Sequence, residues 1–245
     1  MKNIKLTIEY DGTDYHGWQR QDNAVSVQEV IEKAIKSLTG ENCILIGASR
    51  TDAGVHALGQ VANFITGSNI PPERYFLALN RIIPDNIAVV GSEEVGLDFH
   101  SRYYAKGKRY KYLIYNLRHP SALLRNRAFY VPRPLNLERM RNAAAFFLGK
   151  HDFSAFQASG SGVKSPVRTV KDISLMDNND GIIELNIIGD GFLYNMVRII
   201  TGTLIEVGLG KIQPENIKPI IESRDRRMAG RTAPSQGLYL VEVLY

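Results

Sequence analysis

The chain opens with alternating apolar and polar positions, a pattern typical of a strand with one buried face. From Asn3 to Tyr10 every second side chain is apolar, so the apolar residues share one face of a pleated strand. Ser26 then stands at capping-box spacing from Glu29, apolar residues follow at helical spacing, and Gly40 comes after them. These signals predict a helix between Ser26 and Gly40.

Similar patterns divide the rest of the chain into two halves of the same order. The first half is predicted as strand Asn3 to Tyr10, helix Ser26 to Gly40, strands Asn42 to Ile46 and Gln60 to Thr66, helix Pro72 to about Arg81 and strand Asn86 to Val95. The second half is predicted as strand Lys108 to Leu117, helix Leu137 to Leu148, strands Arg168 to Met176 and Ile182 to Gly189, helix Leu193 to Val207 and strand Leu238 to Leu244, with an extra helix near Pro214 to Ser223. Each half has the β-α-β-β-α-β order of a ferredoxin-like (RRM-like) unit. We therefore expect an α+β protein of two such units, residues 1–105 and 106–245, with a central antiparallel sheet and a cleft between the units.

Composition narrows the class of protein. The 245 residues are 44% hydrophobic, which suffices for a packed core. No apolar run reaches the roughly 18 residues of a membrane span, and the N-terminus leads into a strand rather than a signal peptide, so we expect a cytoplasmic protein. The single cysteine, Cys43, excludes an internal disulfide and a cysteine-rich zinc site. The net charge of +5 suits a polyanionic partner but does not identify one.

The most informative stretch runs from Gly47 to Leu58, where polar side chains stand among small residues. About eleven residues join two predicted strands here, more than a hairpin needs, and unusually long connections are often functional. Asp52 is the candidate catalytic residue, although a turn aspartate bonded to its own backbone would give the same pattern. His56 is interpreted as a local hydrogen-bonding residue rather than a metal ligand, because no second histidine or cysteine stands at ligand spacing.

The loop from Asp11 to Gln21 contains the only tryptophan, Trp18, close to His16 and Arg20. Aromatic and cationic side chains in one loop can stack on and hold a nucleotide strand. A loop pinned in place by Trp18 would look the same in sequence. Both interpretations stay open at this point.

Two further features belong to the second half. Strand alternation places Tyr110 and Tyr112 on one face, where tyrosines are usually core but one bordering a cleft could stack on a base. The helix from Leu193 to Val207 is apolar nearly all round and carries Arg198, whose buried charge would need an anionic partner. Asp190 and Asp52 are the two candidates for that partner.

Several segments together resemble the bacterial tRNA pseudouridine synthase A family. They are Tyr10–Thr13, Tyr15–Gln21, Arg50–Ala57, Lys108–Tyr112, Gly191–Arg198 and Thr232–Leu238. They occur in the family's order and extend over the whole chain. One departure is Ser49, where the family often has glycine before the arginine.

The resemblance implies an isomerase that converts uridine to pseudouridine at positions 38, 39 and 40 of the tRNA anticodon arm. It also implies a homodimer without a metal or an organic cofactor. Asp52 matches the catalytic aspartate, Tyr110 the tyrosine that stacks on the target base, and Arg198 the arginine that pairs with the aspartate. Arg50 matches an arginine that takes the place of the extruded nucleotide, and we expect Trp18, Arg20 and His56 to contribute to substrate binding.

These residue types suit that chemistry. The reaction breaks the N1–C1′ bond and joins C5 to C1′, so the base must leave its stack and be held while detached. A carboxylate can attack an electron-poor carbon, and an arginine keeps it charged and oriented. Whether Asp52 attacks C1′ or C6, or a glycal forms, is left open by the sequence. A non-catalytic RNA-binding module and an Asp-dependent N-glycosidase remain the alternative interpretations.

Overall fold

The structure is a computed structural model that describes residues 1–160 and 165–245. Its chain separates into two compact units. Unit 1 comprises residues 1–106 and 239–245, and unit 2 comprises residues 107–238. The expected second unit, 106–245, differs from this division at its end, because the last strand pairs with a strand of unit 1.

Unit 1 contains the predicted β-α-β-β-α-β order. Its elements are β1 (Lys2–Tyr10), α1 (Val27–Thr39), β2 (Ile46–Gly47), β3 (His56–Thr66), α2 (Tyr75–Leu79), β4 (Ile87–Val95) and, from the chain's end, β10 (Leu238–Leu244). β1 lies between β4 and β3 and is antiparallel to both, while β2 pairs with β3. This is the strand order of a ferredoxin-like unit. β10 adds a parallel pairing to the start of β3, at Tyr239 opposite His56.

The helix α1 forms where its capping signals predict it. The Ser26 side chain accepts a hydrogen bond from the Glu29 backbone, and Gly40 ends the helix in the left-handed conformation with φ 76°. The apolar stripe of the helix, including Val27 and Ile31, is buried. Phe64 of β3 and Tyr75 of α2 meet edge to face in the same core, with ring centroids 5.5 Å apart.

The strand predicted at Asn42 to Ile46 is wrong in extent, because only Ile46–Gly47 pairs as β2. The reason is that two side chains of α1 take the backbone groups that a sheet ladder would use. Glu32 accepts from the Leu45 amide at 3.0 Å, and Gln28 donates to the Leu45 carbonyl at 3.0 Å. Residue 45 is thereby tied to the helix instead of to a neighbouring strand.

Unit 2 contains a run of four antiparallel strands and more helix than unit 1. Its elements are β5 (Gly107–Tyr115), β6 (Phe129–Tyr130), α3 (Leu137–Ala144), β7 (Gly149–Asp152), β8 (Val167–Asp177), β9 (Ile182–Gly189), α4 (Met196–Gly208) and α5 (Ile217–Ser223). The order β5-β9-β8-β7 is antiparallel throughout, and β6 pairs in parallel with β5. The short strands β6 and β7 were not predicted. Phe147, Phe153 and Phe156 form part of the core below the sheet.

The α+β class and the mostly antiparallel pairing are confirmed. None of the helices in the described ranges combines the length and apolar character that a membrane span requires. Several helix bounds differ from the prediction. α3 ends at Ala144 rather than Leu148, because a 3₁₀ turn follows at Ala145–Phe147. α2 is a single short helix preceded by a 3₁₀ turn at Pro72–Arg74, and α4 begins at Met196 because Asn195 before it adopts a left-handed backbone conformation.

Candidate active site

The loop of residues 48–55, here called the Asp52 loop, connects β2 to β3 and is fixed by backbone hydrogen bonds. The Trp18 amide donates to the Thr51 carbonyl at 3.1 Å, and the Gly54 amide donates to the Tyr15 carbonyl at 3.3 Å. Within the loop the Val55 amide donates to the Asp52 carbonyl at 3.1 Å, which closes a turn. Asp52 thus stands at the start of a turn whose flanks are both tied to the segment before α1.

Two glycines in that segment allow the backbones to approach this closely. A Cβ at Gly12 would overlap the Val55 carbonyl oxygen, and one at Gly17 would overlap the Thr51 carbonyl oxygen. Gly17 also has φ +90°, a conformation that favours glycine. The glycines therefore set how closely the Asp52 loop packs against the chain that precedes it.

Buried polar side chains support the same loop from β1 and β3. The Tyr10 hydroxyl and the Thr51 hydroxyl are 2.7 Å apart and share a hydrogen bond. Gln60 accepts from the Ser49 amide at 3.2 Å and donates to the Ser49 carbonyl at 2.6 Å. Thr51 and Ser49 are buried, whereas Asp52 is partly exposed. Hydrogen bonds from both neighbouring strands therefore hold the loop in place.

His56, the first residue of β3, is a local hydrogen-bonding residue. Its Nδ1 lies 3.1 Å from the Gly12 amide and 3.1 Å from a carboxylate oxygen of Asp11. A neutral Nδ1 accepts from Gly12, and a protonated one donates to Asp11, so the two bonds are alternatives. The ring is buried and stacks on Tyr239 with centroids 4.6 Å apart. Among the residues described, no group of three or more His, Cys, Asp or Glu side chains is placed to hold a metal ion.

Trp18 is almost fully buried, with 1% of its surface exposed. Its indole lies against Gly47, where a Cβ would overlap the ring nitrogen, and its ring centroid is 6.1 Å from that of Tyr10. This geometry supports the interpretation of a loop pinned by Trp18, and a role of Trp18 in stacking on RNA stays a prediction. Arg20 is exposed, with one guanidinium nitrogen 3.6 Å from Glu32.

Arg50 is an exposed residue of the Asp52 loop that is held by a chain of side-chain amides. Its Nε donates to Gln19 at 3.2 Å, and Gln19 donates to Gln28 at 2.8 Å. Gln28 is buried on α1 and also donates to Glu32. The guanidinium therefore has a preferred direction while it stays in contact with solvent.

In unit 2 the two tyrosines of β5 face the same side, as predicted. Tyr110 meets the Phe192 ring edge to face, with centroids 5.3 Å apart and planes at 86°. Tyr112 is fully buried, and its hydroxyl donates to the Pro234 carbonyl at 2.7 Å. Burial raises the pKa of Tyr112 well above its usual range, although the charges of Arg198 and Arg231 oppose that shift. Tyr112 therefore stays neutral and serves the core.

Arg198 lies in the first turn of α4, partly buried, with two identified acceptors. Its Nε donates to the Ala233 carbonyl at 2.8 Å, and its Nη1 donates to the Asn195 side-chain oxygen at 2.7 Å. Asp190 accepts instead from the Thr169 amide at 2.9 Å, and within the described ranges it forms no ion pair with Arg198. Asp190 is thus the wrong candidate for the anionic partner, and the pairing with Asp52 stays a prediction.

The segment of residues 230–234 contacts both Arg198 and the following part of α4. The Ala233 amide donates to the Arg198 carbonyl at 3.0 Å, so the two residues are bonded in both directions. The Gly230 amide donates to the Thr203 hydroxyl at 2.9 Å. A Cβ at Gly202 would overlap the Arg231 carbonyl oxygen. The segment therefore lies directly on α4.

Some of these supporting residues could not be identified from the sequence. Ala233 contributes a backbone carbonyl, which has no side-chain signature, and Gln60 is typical of an ordinary strand residue. Asn195 could have been suspected, because asparagine is one of the few residues that tolerate a left-handed backbone.

Unit 1 holds a carboxylate on a hydrogen-bonded loop beside an exposed arginine. Unit 2 holds an oriented guanidinium and a strand tyrosine packed against Phe192. A carboxylate can act as a covalent nucleophile, and an aromatic side chain can stack on a flipped base.

Comparison with known proteins agrees with this chemistry. A family model described as tRNA pseudouridine synthase matches residues 6–104 and 143–245. The chain is 64% identical to a tRNA pseudouridine synthase A of Acetivibrio thermocellus, 54% identical to one of Ruminiclostridium cellulolyticum and 51% identical to one of Clostridium kluyveri. Each match spans 245 residues and covers 100% of both chains. The chain therefore belongs to the tRNA pseudouridine synthase family, whose members isomerise uridine to pseudouridine.

Proposed function

We propose that this chain converts uridine to pseudouridine at positions 38, 39 and 40 of the tRNA anticodon arm, with Asp52 as the attacking carboxylate. The observation that carries the assignment is the Asp52 loop itself. Backbone hydrogen bonds fix both flanks of the turn, and Asp52 is partly exposed. Such preorganisation is what a nucleophile needs, because no reorganisation is then required at the moment of reaction.

The reaction conserves all atoms of the nucleoside. The N1–C1′ bond breaks, uracil turns, C5 joins C1′, the C5 proton leaves to solvent and N1 gains a proton. The Asp52 carboxylate can bond to C1′ as the N1–C1′ bond breaks and be displaced when C5 joins C1′. Alternatively it can add to C6 of the ring and leave again when the C5 proton is lost. No redox partner takes part in this balance.

Two residues of unit 2 complete the proposal. Tyr110 is assigned to stacking on the extruded base, and its edge-to-face contact with Phe192 holds its ring in one orientation. Arg198 is assigned to electrostatic support of the reacting carboxylate, for which its two hydrogen bonds orient its planar group. The ion pair with Asp52 is part of this proposal, and a double-mutant cycle of the two residues would measure their coupling.

Exposed cations are assigned to docking of the tRNA. Arg50 lies two residues before Asp52 and keeps its guanidinium in solvent, so it can enter a helix from which a nucleotide has been extruded. Arg20 is similarly exposed. His56 and Trp18 are buried, and they act on the substrate through the shape of the loops that they hold.

Digestion of treated tRNA to nucleosides tests the function. Wild-type enzyme should convert uridine to pseudouridine at positions 38–40 in an unmodified transcript, without release of free base. Loss of uracil from the tRNA would indicate an N-glycosidase instead. Unchanged nucleosides despite tight tRNA binding would indicate a binding module and would overturn the proposal.

We also propose a cytoplasmic homodimer that works without a metal or an organic cofactor. Light scattering of the purified chain tests the dimer, and a monomeric mass at working concentration would contradict it. Activity should survive a strong chelator, because the described histidines and acidic residues form no ligand cluster. Loss of activity that only a transition metal restores would overturn this part.

A further inference from the structure

Asn195 has an unusual backbone at the position that precedes α4. Its φ is 61° and its ψ is 7°, in the left-handed region. In the described ranges the only other non-glycine residues with positive φ are Asn179 and Arg224. A left-handed conformation is unfavourable for most L-residues, and asparagine is among the exceptions.

The Asn195 side chain does not form the hydrogen bond that is usual for a residue at the start of a helix. An asparagine at this position commonly accepts from the backbone of the first helical turn, but Asn195 makes no such capping bond. Its oxygen accepts from Nη1 of Arg198 at 2.7 Å instead. The backbone conformation points the amide at the guanidinium three residues later.

Two acceptors on different nitrogens define the orientation of Arg198. The Ala233 carbonyl holds Nε and the Asn195 amide holds Nη1. Because the guanidinium is planar, two hydrogen bonds to different nitrogens restrict rotation of the whole group, including its Nη2 edge. Loss of either bond removes one of these restraints on the plane.

We propose that Asn195 is a positioning residue for the isomerisation, one that acts by fixing the direction of the Arg198 guanidinium. The assignment rests on the proposed function, since it requires that Arg198 supports the reaction. It explains why an asparagine stands here. The position requires a residue that tolerates a left-handed backbone and a side-chain oxygen that accepts from Arg198. Glycine meets only the first requirement and alanine meets neither. Aspartate meets both.

The test compares Asn195→Gly, Asn195→Asp and Asn195→Ala by release of tritium from tRNA labelled at C5 of uridine. Asn195→Gly should lower kcat about 10- to 100-fold, the range expected for one hydrogen bond to a charged group. KM for tRNA and the Tm should change little, because glycine accepts the backbone conformation. Asn195→Asp should recover part of the kcat lost in Asn195→Gly, since it retains the acceptor, while its charge partly neutralises the guanidinium that supports Asp52.

Two further variants separate positioning from a structural effect. Asn195→Ala should lower the Tm through backbone strain, yet its kcat should match that of Asn195→Gly. Asn179→Gly is the matched control, because Asn179 has the same φ of 61° in the turn between β8 and β9. Its kcat should equal that of the wild type. A loss of kcat in Asn195→Ala but not in Asn195→Gly would assign the effect to strain and overturn the proposal.

Asn195→Gly combined with Arg198→Ala separates the role of Asn195 from the role of Arg198. In the Arg198→Ala background Asn195→Gly should lower kcat by less than about threefold, because the group it positions is gone. If Arg198→Ala keeps wild-type kcat, the proposed role of Arg198 fails and the inference fails with it. If Arg198→Ala is slow but Asn195→Gly is not, the inference alone is wrong.

Discussion

The Asp52 loop of unit 1 and the helix α4 of unit 2 each carry an arginine, but they hold it differently. Arg50 is exposed, and its identified acceptor, Gln19, is itself exposed at 3.2 Å. Arg198 is partly buried and donates to the Ala233 carbonyl and to Asn195 at 2.8 and 2.7 Å. The contrast teaches that residue type does not assign a role. The exposed arginine suits docking of a polyanion, and the partly buried one, held by two acceptors, suits support of a reacting group.

Between the two arginines, the larger effect is expected when Arg198 is replaced. Arg198→Lys keeps the charge but not the planar fork, so kcat should fall about 100-fold, as expected when a catalytic group is misplaced by roughly 1 Å. The affinity for tRNA should stay within about threefold. Steady-state kinetics with a separate binding assay would measure both. A variant with weakened binding and normal kcat would assign Arg198 to docking and remove the contrast with Arg50.

The two regions should respond alike when their close backbone contacts are disturbed. Gly12→Ala and Gly202→Ala each place a methyl group against a carbonyl oxygen, at Val55 and Arg231 respectively. Each should lower the free energy of unfolding by about 2–3 kcal/mol, as overpacking commonly does. Urea unfolding measures the change.

Gly91→Ala provides the control, because the nearest atom, of Thr7, would lie 4.0 Å from the new Cβ. Its free energy of unfolding should stay within about 0.5 kcal/mol of wild type. If Gly202→Ala were equally harmless, the 230–234 segment could not be packed on α4 as described.

The tyrosines of β5 separate function from packing within one strand. Tyr110→Leu should lower kcat/KM about tenfold, because stacking on a base contributes roughly 1–3 kcal/mol, while Tyr110→Phe should keep most activity. Tyr112→Phe should lower the free energy of unfolding by about 1 kcal/mol, since the Pro234 carbonyl loses its donor, and leave kcat unchanged. A lower kcat in Tyr112→Phe together with unchanged kcat/KM in Tyr110→Leu would show that Tyr112, not Tyr110, serves the reaction.

The smallest effect is expected for the exposed arginine. Arg50→Ala should weaken tRNA binding only severalfold and reduce the slope of log affinity against log salt by about one, as loss of one phosphate contact does. Lys33→Ala is the matched control, because Lys33 is exposed and already paired with Glu29 on α1. An unchanged salt slope in Arg50→Ala would remove Arg50 from the docking surface.

The sequence predicts more of unit 1 and its Asp52 loop than of the surroundings of Arg198 in unit 2. The order of elements in unit 1 and the capping of α1 were predictable, because those signals are local. Asp52 could be singled out by the length of its connection and by the resemblance. The true extent of β2 could not be predicted, since Gln28 and Glu32 reach it only after α1 has packed.

In unit 2 the same limit applies to Arg198. Its charge in an apolar helix indicated that it needs partners, and Asp190 was one candidate from the sequence. In the structure the Asp190 carboxylate accepts a hydrogen bond from the Thr169 amide. The two identified acceptors of Arg198 were not predictable by composition. One is a backbone carbonyl at Ala233, and the other depends on the left-handed backbone of Asn195.

The most direct test of the central claim is the single-turnover rate of Asp52→Asn on tRNA labelled at C5 of uridine, measured beside tRNA affinity at one salt concentration. The substitution keeps the shape of the side chain and removes its charge, so the rate should fall by roughly 10³-fold or more while the Kd stays within about threefold. Asp14→Asn is the control, because Asp14 is an exposed carboxylate of unit 1 outside the Asp52 loop, and it should keep the wild-type rate. An Asp52→Asn enzyme that retains a rate within tenfold of wild type would contradict the assignment of Asp52 as the attacking group.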